Sequence, residues 1–455
     1  MAIRIPRVRP KRRQPRPAVL LIVAFAVLIV VGTGLLMLPV STRAGVWTPP
    51  LDALFTATSA VCVTGLVVLD TASHWSAFGQ VVILALVQAG GFGIMAGSTL
   101  LLLIIARRKI GLRDRIVVKE TTGELQLGGV LGVVRRVALF TVVTEIVGAM
   151  VLAIVFMVHG TAGDLFAGAW QGLFYSVSAF NNAGFDLNGG FQSLAPFAGD
   201  WFVLVPIGLL VVIGSVGWAV AADVTIRRRW WRLGLESKVV ILTTAAVIVV
   251  GTVAITLLQW GDPATLGALP PPERPFAALF ESITLRTAGF STMPTGAFAQ
   301  STLFVIMAMM FIGGASGSTA GGIKVNTFGL LFIAIVSTAR GQTSPTAFGR
   351  RFGDPLIYRA LSVALLGVAA LFLTALMLSV VSGASFLDLL FEAVSALGTV
   401  GASTGITPTL EPVAKLIVIA AMFVGRLGPL TLVLALSARS RPDRFRPALE
   451  TIRIG

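Results

Sequence analysis

Phe280-Glu-Ser-Ile-Thr-Leu-Arg-Thr-Ala-Gly-Phe290 has three relatives in the same chain, and that recurrence decides how the rest is read. Phe55-Thr-Ala-Thr-Ser-Ala-Val-Cys-Val-Thr-Gly65, Phe174-Tyr-Ser-Val-Ser-Ala-Phe-Asn-Asn-Ala-Gly184 and Phe391-Glu-Ala-Val-Ser-Ala-Leu-Gly-Thr-Val-Gly401 share its Leu-Phe entry, its Ser or Thr near the middle and its closing glycine. The copies recur at intervals of roughly 110 residues, long enough for two membrane spans and one shorter element per unit. Four such units fill the chain.

From the aromatic to the glycine each copy has about ten residues, and a helix of that length rises about 15 Å, half of the ~30 Å hydrocarbon core. It cannot span. A half-helix that ends in small residues at that depth is tolerated only where its backbone is buried in protein or lines a watery cavity. Four of them around one axis would turn the backbones of Val63-Thr64-Gly65, Asn182-Ala183-Gly184, Thr287-Ala288-Gly289 and Thr399-Val400-Gly401 inward. Carbonyls so placed can replace the hydration shell of a cation.

The composition agrees with a membrane setting. Of 455 residues, 56% are hydrophobic and 12% charged, and apolar runs of twenty or more recur, which excludes a disordered chain and a soluble domain. The single cysteine, Cys62, leaves no disulfide and no cysteine metal site. The net charge of +15 is not a nucleic-acid footprint, because 29 of the 35 Lys and Arg cluster in alternate connections and at the two termini. Those clusters mark the cytoplasmic side, so both termini are expected there. Arg43, Arg274 and Lys415 fall in the opposite loops.

The fold expected is an all-α membrane protein of four parallel span/half-helix/span repeats, with eight transmembrane helices and four pore half-helices around a pseudo-fourfold axis. The spans are read at 18–40, 75–106, 134–158, 201–226, 237–259, 300–338, 357–381 and 413–437. The divisions are a basic N-terminus 1–17, repeat 1 at 18–110 and repeat 2 with its preceding loop at 111–233. Repeat 3 follows at 234–345, repeat 4 at 346–438 and a basic tail at 439–455. The mixed charges of the loop 107–136 suit either a solvated surface or a docking face for a cytosolic partner. Arg227-Arg-Arg-Trp-Trp-Arg232 reads as an interfacial anchor.

One span departs from the others. It contains Gly313, Gly314, Ala315, Ser316, Gly317, Ser318, Thr319, Ala320, Gly321 and Gly322, then Lys324. Each glycine costs about 1 kcal/mol of helical preference relative to alanine, so the helix is expected to break into a loop at mid-membrane that can gate. A close helix–helix contact of small residues is the alternative, although that motif spaces small residues helically and here they are consecutive. Lys324 and Arg426 need cavities or partners at this depth. Arg426, beside Gly425 and Gly428-Pro429, either faces the pore or ties two elements together. Glu281 and Glu392 read as residues near half-helix starts that offset the N-terminal dipole. Arg286 is expected to point behind the inward-facing backbone toward an acid.

With these motifs assembled, the sequence resembles the Trk/Ktr/HKT superfamily of potassium transporters, and within it the KtrB type of membrane subunit. Val61-Cys-Val-Thr-Gly-Leu66, Asn181-Asn-Ala-Gly-Phe185, Arg286-Thr-Ala-Gly-Phe290 and Gly398-Thr-Val-Gly-Ala402 look like that family's four degenerate filters. The run 313–322 resembles its intramembrane gating loop, and Arg426 its pore arginine. The resemblance implies a cell-membrane homodimer with one pore per subunit, controlled by a cytosolic ring of RCK-type nucleotide-binding subunits. It also implies potassium in the filter, with a possible sodium dependence of transport, and no cofactor in the chain. A glycine in all four filters implies potassium, since serine in the first repeat accompanies sodium selectivity in the plant branch. The third copy departs by being one residue shorter from Phe280 to Gly289.

The competing reading is a secondary cation transporter that binds substrate between broken helices, which predicts inverted repeats around a protonatable acid. Here the repeat is fourfold, and the intramembrane acids Glu145 and Asp223 have no equivalents in the other units. An enzyme is weaker still: the only histidines, His74 and His159, lie near outer span ends, far from any cluster of metal-ligating residues.

Overall fold

The computed structural model describes residues 17–109, 129–159, 163–342 and 344–428; of 17–18, 98–109 and 129–131 only the backbone is described. Among the described residues there are thirteen α-helices and one two-strand hairpin. In chain order they are α1 (Pro17–Met37), α2 (Pro50–Cys62), α3 (Ala77–Lys109), α4 (Gly129–Val158), α5 (Leu165–Phe180), α6 (Trp201–Arg227) and α7 (Leu235–Gln259). They continue as α8 (Arg274–Thr284), α9 (Gln300–Met310), α10 (Val325–Ala339), α11 (Asp354–Val381), α12 (Phe386–Gly398) and α13 (Pro412–Leu427). The hairpin, Thr346–Ala347 with Arg350–Arg351, lies between α10 and α11.

Six helices, α1, α3, α4, α6, α7 and α11, are long and apolar enough to cross a membrane. Their outward faces expose large apolar side chains such as Val30, Leu139, Val250 and Phe372, as expected where the surrounding solvent is lipid. The chain is therefore a multi-pass membrane protein. The expected span 300–338 is two shorter helices, α9 and α10, separated by the loop 311–324. Of the expected span 413–437, the part after 428 lies outside the described residues. So do the segment 1–16, residues 110–128 of the first basic loop, and the tail.

The short helices α2, α5, α8 and α12 start where local chemistry dictates. Proline occupies the first turn of α2 and α8, where its missing N–H costs nothing. Asp164 caps α5 by accepting from Ala167 N at 2.7 Å, and Ser385 caps α12 by accepting from Asp388 N. These starts lie five to nine residues ahead of Phe55, Phe174, Phe280 and Phe391, all four of which are buried. Glu281 and Glu392 consequently sit late and mid-helix, not near half-helix starts, and do not offset an N-terminal dipole.

Neighbouring units pack in a closed circuit: α3 on α4, α6 on α7 and α8, α9 on α12, and finally α13 back on α2. An ion pair of 2.8 Å between Lys415 of α13 and Asp52 of α2 fastens that last seam. At the opposite end of α6, Asp223 accepts from Gly234 N and Ser237 Oγ and pairs with Arg227, which fixes the elbow into α7.

One break was not legible in the sequence. Gly217 leaves helical geometry at φ 79°, ψ 164°, so α6, read as a continuous span, is kinked there. The kink frees the carbonyls of Gly214 and Ser215, which accept from Thr319 N at 3.3 Å and Ala315 N at 2.8 Å.

Candidate ion-conducting site

Each short helix ends in the same backbone device. Val63, Asn182, Thr287 and Thr399 all lie at positive φ, and two residues later Gly65, Gly184, Gly289 and Gly401 do so again, at 90°, 72°, 72° and 92°. For β-branched Val63, Thr287 and Thr399 this conformation costs about 1–2 kcal/mol each, so the surroundings must hold it. They do so through the Ser or Thr in the last turn of each short helix. Thr64 N, Ala183 N and Val400 N donate to the carbonyls of Ser59, Ser178 and Ser395 at 2.7–2.8 Å. Gly65 N and Gly401 N then donate to the hydroxyls of Ser59 and Ser395. In the shorter third copy both Ala288 N and Gly289 N donate to Thr284 O, so the missing residue is absorbed in the turn and the glycine keeps its place.

The four segments close on one another. A Cβ on Gly65 would lie under 3.0 Å from the carbonyl oxygen of Ala183, one on Gly184 from that of Ala288, one on Gly289 from that of Val400, and one on Gly401 from that of Thr64. Each glycine is thus packed against the residue before the glycine of the next copy, cyclically. Thr64, Thr287 and Thr399 place buried hydroxyls beside this ring with no hydrogen-bond partner among the described residues.

Comparison with known proteins bears on what such a ring belongs to. Residues 9–445 match the family described as TrkH, cation transport protein. The chain belongs to that family. It is 38% identical to the Ktr system potassium uptake protein B of Bacillus subtilis over 421 residues, 92% of either chain. It is 36% identical to the potassium/sodium uptake protein NtpJ of Enterococcus hirae over 98% of both. The fold is that of the potassium transporter TrkH from Vibrio parahaemolyticus, with a TM-score of 0.74 over 94% of this chain and 86% of that one, at 17% identity. The family is one of transporters, not enzymes.

In this member the loop between α9 and α10 lies across the ring on the side of the half-helix C-termini. Thr319 Oγ1 is 3.0 Å from the carbonyl of Phe180, the last of α5, and 3.1 Å from Asn182 Oδ1, both in the second copy. Two residues on, Gly321 is packed so tightly on Thr399 Oγ1 and Gly398 O of the fourth copy that a Cβ has no room. The second and fourth copies are diagonal in the ring, so the loop crosses its axis. Arg426 Nη1 donates to Thr319 O at 2.6 Å and its Nη2 to Gly90 O of α3 at 3.3 Å. Lys324 Nζ folds back on Ala320 O at 2.5 Å. Within the loop, Gly313 N donates to Ile323 O, Ser318 Oγ to Ala315 O, Val325 N to Gly314 O, and Ser316 N to Asn326 Oδ1.

Two expectations about charged residues fail. Arg286 is fully buried beside Thr287, and none of its guanidinium nitrogens has a hydrogen-bond partner among the described residues, so the expected acid is not there. Glu281 reaches the segment that leaves the ring: one oxygen accepts from Thr292 N, Thr292 Oγ1 and Ser291 Oγ at 2.6–3.1 Å. Glu392 accepts likewise from Ser403 Oγ and Thr407 Oγ1, and Tyr175, at the equivalent place in the second copy, accepts from Leu187 N. In the first copy Thr56 bonds within its own helix instead. The residue after the repeat phenylalanine therefore ties down the outgoing segment in three of four copies, a role whose partners lie ten to fifteen residues downstream.

Proposed function

We propose that this chain is the ion-translocating membrane subunit of a potassium uptake system, with channel-like permeation along the axis of the glycine ring. Four span/half-helix/span repeats, eight spans in all, surround that axis with both termini cytoplasmic. The filter consists of Val63 to Gly65, Asn182 to Gly184, Thr287 to Gly289 and Thr399 to Gly401. The loop 313–322 with Lys324 and Arg426 forms the gate. The observation that carries this reading is the cyclic packing of each glycine on the carbonyl-bearing residue of the next copy. It aligns four backbones at left-handed positions around one axis, the arrangement in which carbonyl oxygens substitute for hydration water.

Control enters from the cytoplasmic side, through a nucleotide-binding ring of RCK type on which a homodimer of this chain sits. The two relatives' names, a Ktr system component and a potassium/sodium uptake protein, support potassium as the cargo and leave sodium a place beside it. Reconstitution into liposomes tests the whole reading. Potassium and rubidium uptake down a gradient, exceeding sodium uptake, is the expected result; uptake that requires proton or sodium exchange at fixed stoichiometry overturns channel-like permeation.

A further inference from the structure

The residue three places before each ring glycine differs in every copy: Cys62, Asn181, Arg286 and Gly398. Behind Asn181 lies a buried cluster that has no counterpart in the other three. Asn181 Nδ2 donates to Glu145 Oε1 of α4 at 2.9 Å and lies 2.9 Å from Gln88 Oε1 of α3, while Gln88 Nε2 donates to Glu145 Oε2 at 3.1 Å. The main chain of Glu145 is tied to α5 as well, since Ser176 Oγ donates to its carbonyl at 2.7 Å. Asn181 fits against α3 only because Gly91 has no side chain: a Cβ there would collide with Asn181 Oδ1. A carboxylate within a span is costly unless hydrogen-bonded, and both of its oxygens are satisfied by side chains that converge on one filter segment.

We propose that Glu145 is a positioning residue for cation selectivity, which acts with Gln88 through Asn181 to hold the second filter segment in register. This rests on the reading of the glycine ring as an ion filter. The mechanical path is short. Asn181 precedes Asn182, whose φ is 60°, and Asn182 precedes Ala183, whose carbonyl is the surface on which Gly65 packs. From the other side Thr319 Oγ1 touches Phe180 O and Asn182 Oδ1, so this segment is held between the gate loop and the carboxylate. Rotation of Asn181 therefore moves one carbonyl of the ring against its neighbour and leaves the other three segments in place.

The chemistry of the triad makes the test specific. Glu145→Gln sets an amide against Gln88 Nε2, donor facing donor. Turning the Gln88 amide relieves that contact but presents its Nε2 to Asn181 Nδ2, so Asn181 must rotate. The exchange Gln88→Glu with Glu145→Gln restores one carboxylate, one amide and all three hydrogen bonds. In liposomes, at equal amounts of monodisperse protein, Glu145→Gln is expected to lower the ratio of potassium to sodium uptake by about tenfold, the scale of one hydrogen bond to a charged group. The exchanged double variant is expected to recover the ratio. A role in folding alone lowers potassium and sodium uptake together and leaves the ratio and the KM for potassium untouched; that outcome overturns the proposal. Should Glu145→Gln yield no folded protein, Gln88→Ala is measured in its place, and an unchanged ratio there overturns it equally. Gly65→Ser run in parallel separates the two levels. If Gly65→Ser shifts the ratio and the triad variants do not, the filter stands and the positioning role falls. If none shifts it, the ring is not the filter.

Discussion

Arg426 holds Thr319 by its carbonyl, 2.6 Å from Nη1, while the hydroxyl of the same threonine reaches the last carbonyl of α5 and its amide reaches the kink of α6. Thr319 is thereby fastened at three atoms to three different elements, and it lies where the loop crosses between the diagonal second and fourth copies. The loop has few apolar side chains to anchor it. Its position across the ring depends on these bonds, the charged one contributing about 1.5–3 kcal/mol and the others about 0.5–1.5 each.

On the proposed gating role, Arg426→Ala, which removes the charged bond and a buried cation, is expected to raise potassium flux and make it depend less on the proposed cytosolic partner. Thr319→Val removes only the hydroxyl and should raise flux by a smaller factor. Single-turnover or liposome flux at matched protein density measures both. Lower flux in folded versions of both variants means that the loop supports the filter instead of closing it.

The sequence made the ring legible because its chemistry is local: a glycine that must take positive φ and a serine that must receive its amide lie within one short segment. The crossing loop was legible for the same reason, since five glycines within ten residues cannot continue a helix. What stayed hidden depends on partners far along the chain. Glu281 reads as a residue near the helix start because the motif opens at Phe280, whereas its helix begins at Arg274 and its partners Ser291 and Thr292 come after the ring. Pro275 in the first turn was the signal that places that start. Glu145 was legible only as an acid without equivalents, and nothing local connects it to Gln88 or Asn181. The kink at Gly217 is marked only by Gly214-Ser215-Val216-Gly217, a short run of small residues that ordinary packed spans share.

Glu281 offers a test of the outgoing strand. Its carboxylate gathers three donors from Ser291 and Thr292 in a fully buried place, and removal leaves the Thr292 amide unsatisfied. Glu281→Ala is expected to destabilise the protein by about 2–4 kcal/mol, through the lost bonds and the orphaned donor. Glu281→Gln keeps an acceptor and should cost less than half as much. Thermal unfolding in detergent ranks the two, and equal midpoints for Ala and Gln would deny the carboxylate this tie.

A pH-dependent fastening joins the first and second copies. Asp70 accepts from Ser73 N and Ser73 Oγ at 2.7 Å and, with its other oxygen, from Phe191 N at 3.0 Å. Burial pushes its carboxyl up, but the hydrogen bonds from Phe191 and Ser73 outweigh this and hold it below the ordinary value. A depressed carboxylate adds stability that is complete above the unfolded value of about 3.9 and is lost as pH falls through the lower folded value. Hydrogen exchange at Phe191, corrected for its intrinsic rate, should thus be constant from about pH 7 to 5 and rise only below about pH 4. Asp70→Asn should abolish that rise, and exchange that already accelerates near pH 6 would contradict the assignment.

The ring itself makes the sharpest prediction, because its packing is cyclic. Gly65 lies at φ 90°, where an L side chain is strained, and its missing Cβ is the space taken by the Ala183 carbonyl of the second copy. A serine there must either rotate its own segment out of the left-handed region or displace that carbonyl; both change one edge of the ring and leave the other edges intact. Gly401 stands in the same relation to Thr64, so Gly401→Ser injures the first copy from the other side. Potassium discrimination over sodium is therefore expected to fall in each single variant while transport persists. The double variant should lose less than the product of the two losses, since both act on the backbone of the first copy. Uptake of potassium and sodium measured separately in liposomes decides it. Unchanged discrimination in a folded, transporting Gly65→Ser protein would remove the Gly65–Ala183 contact from the ion path.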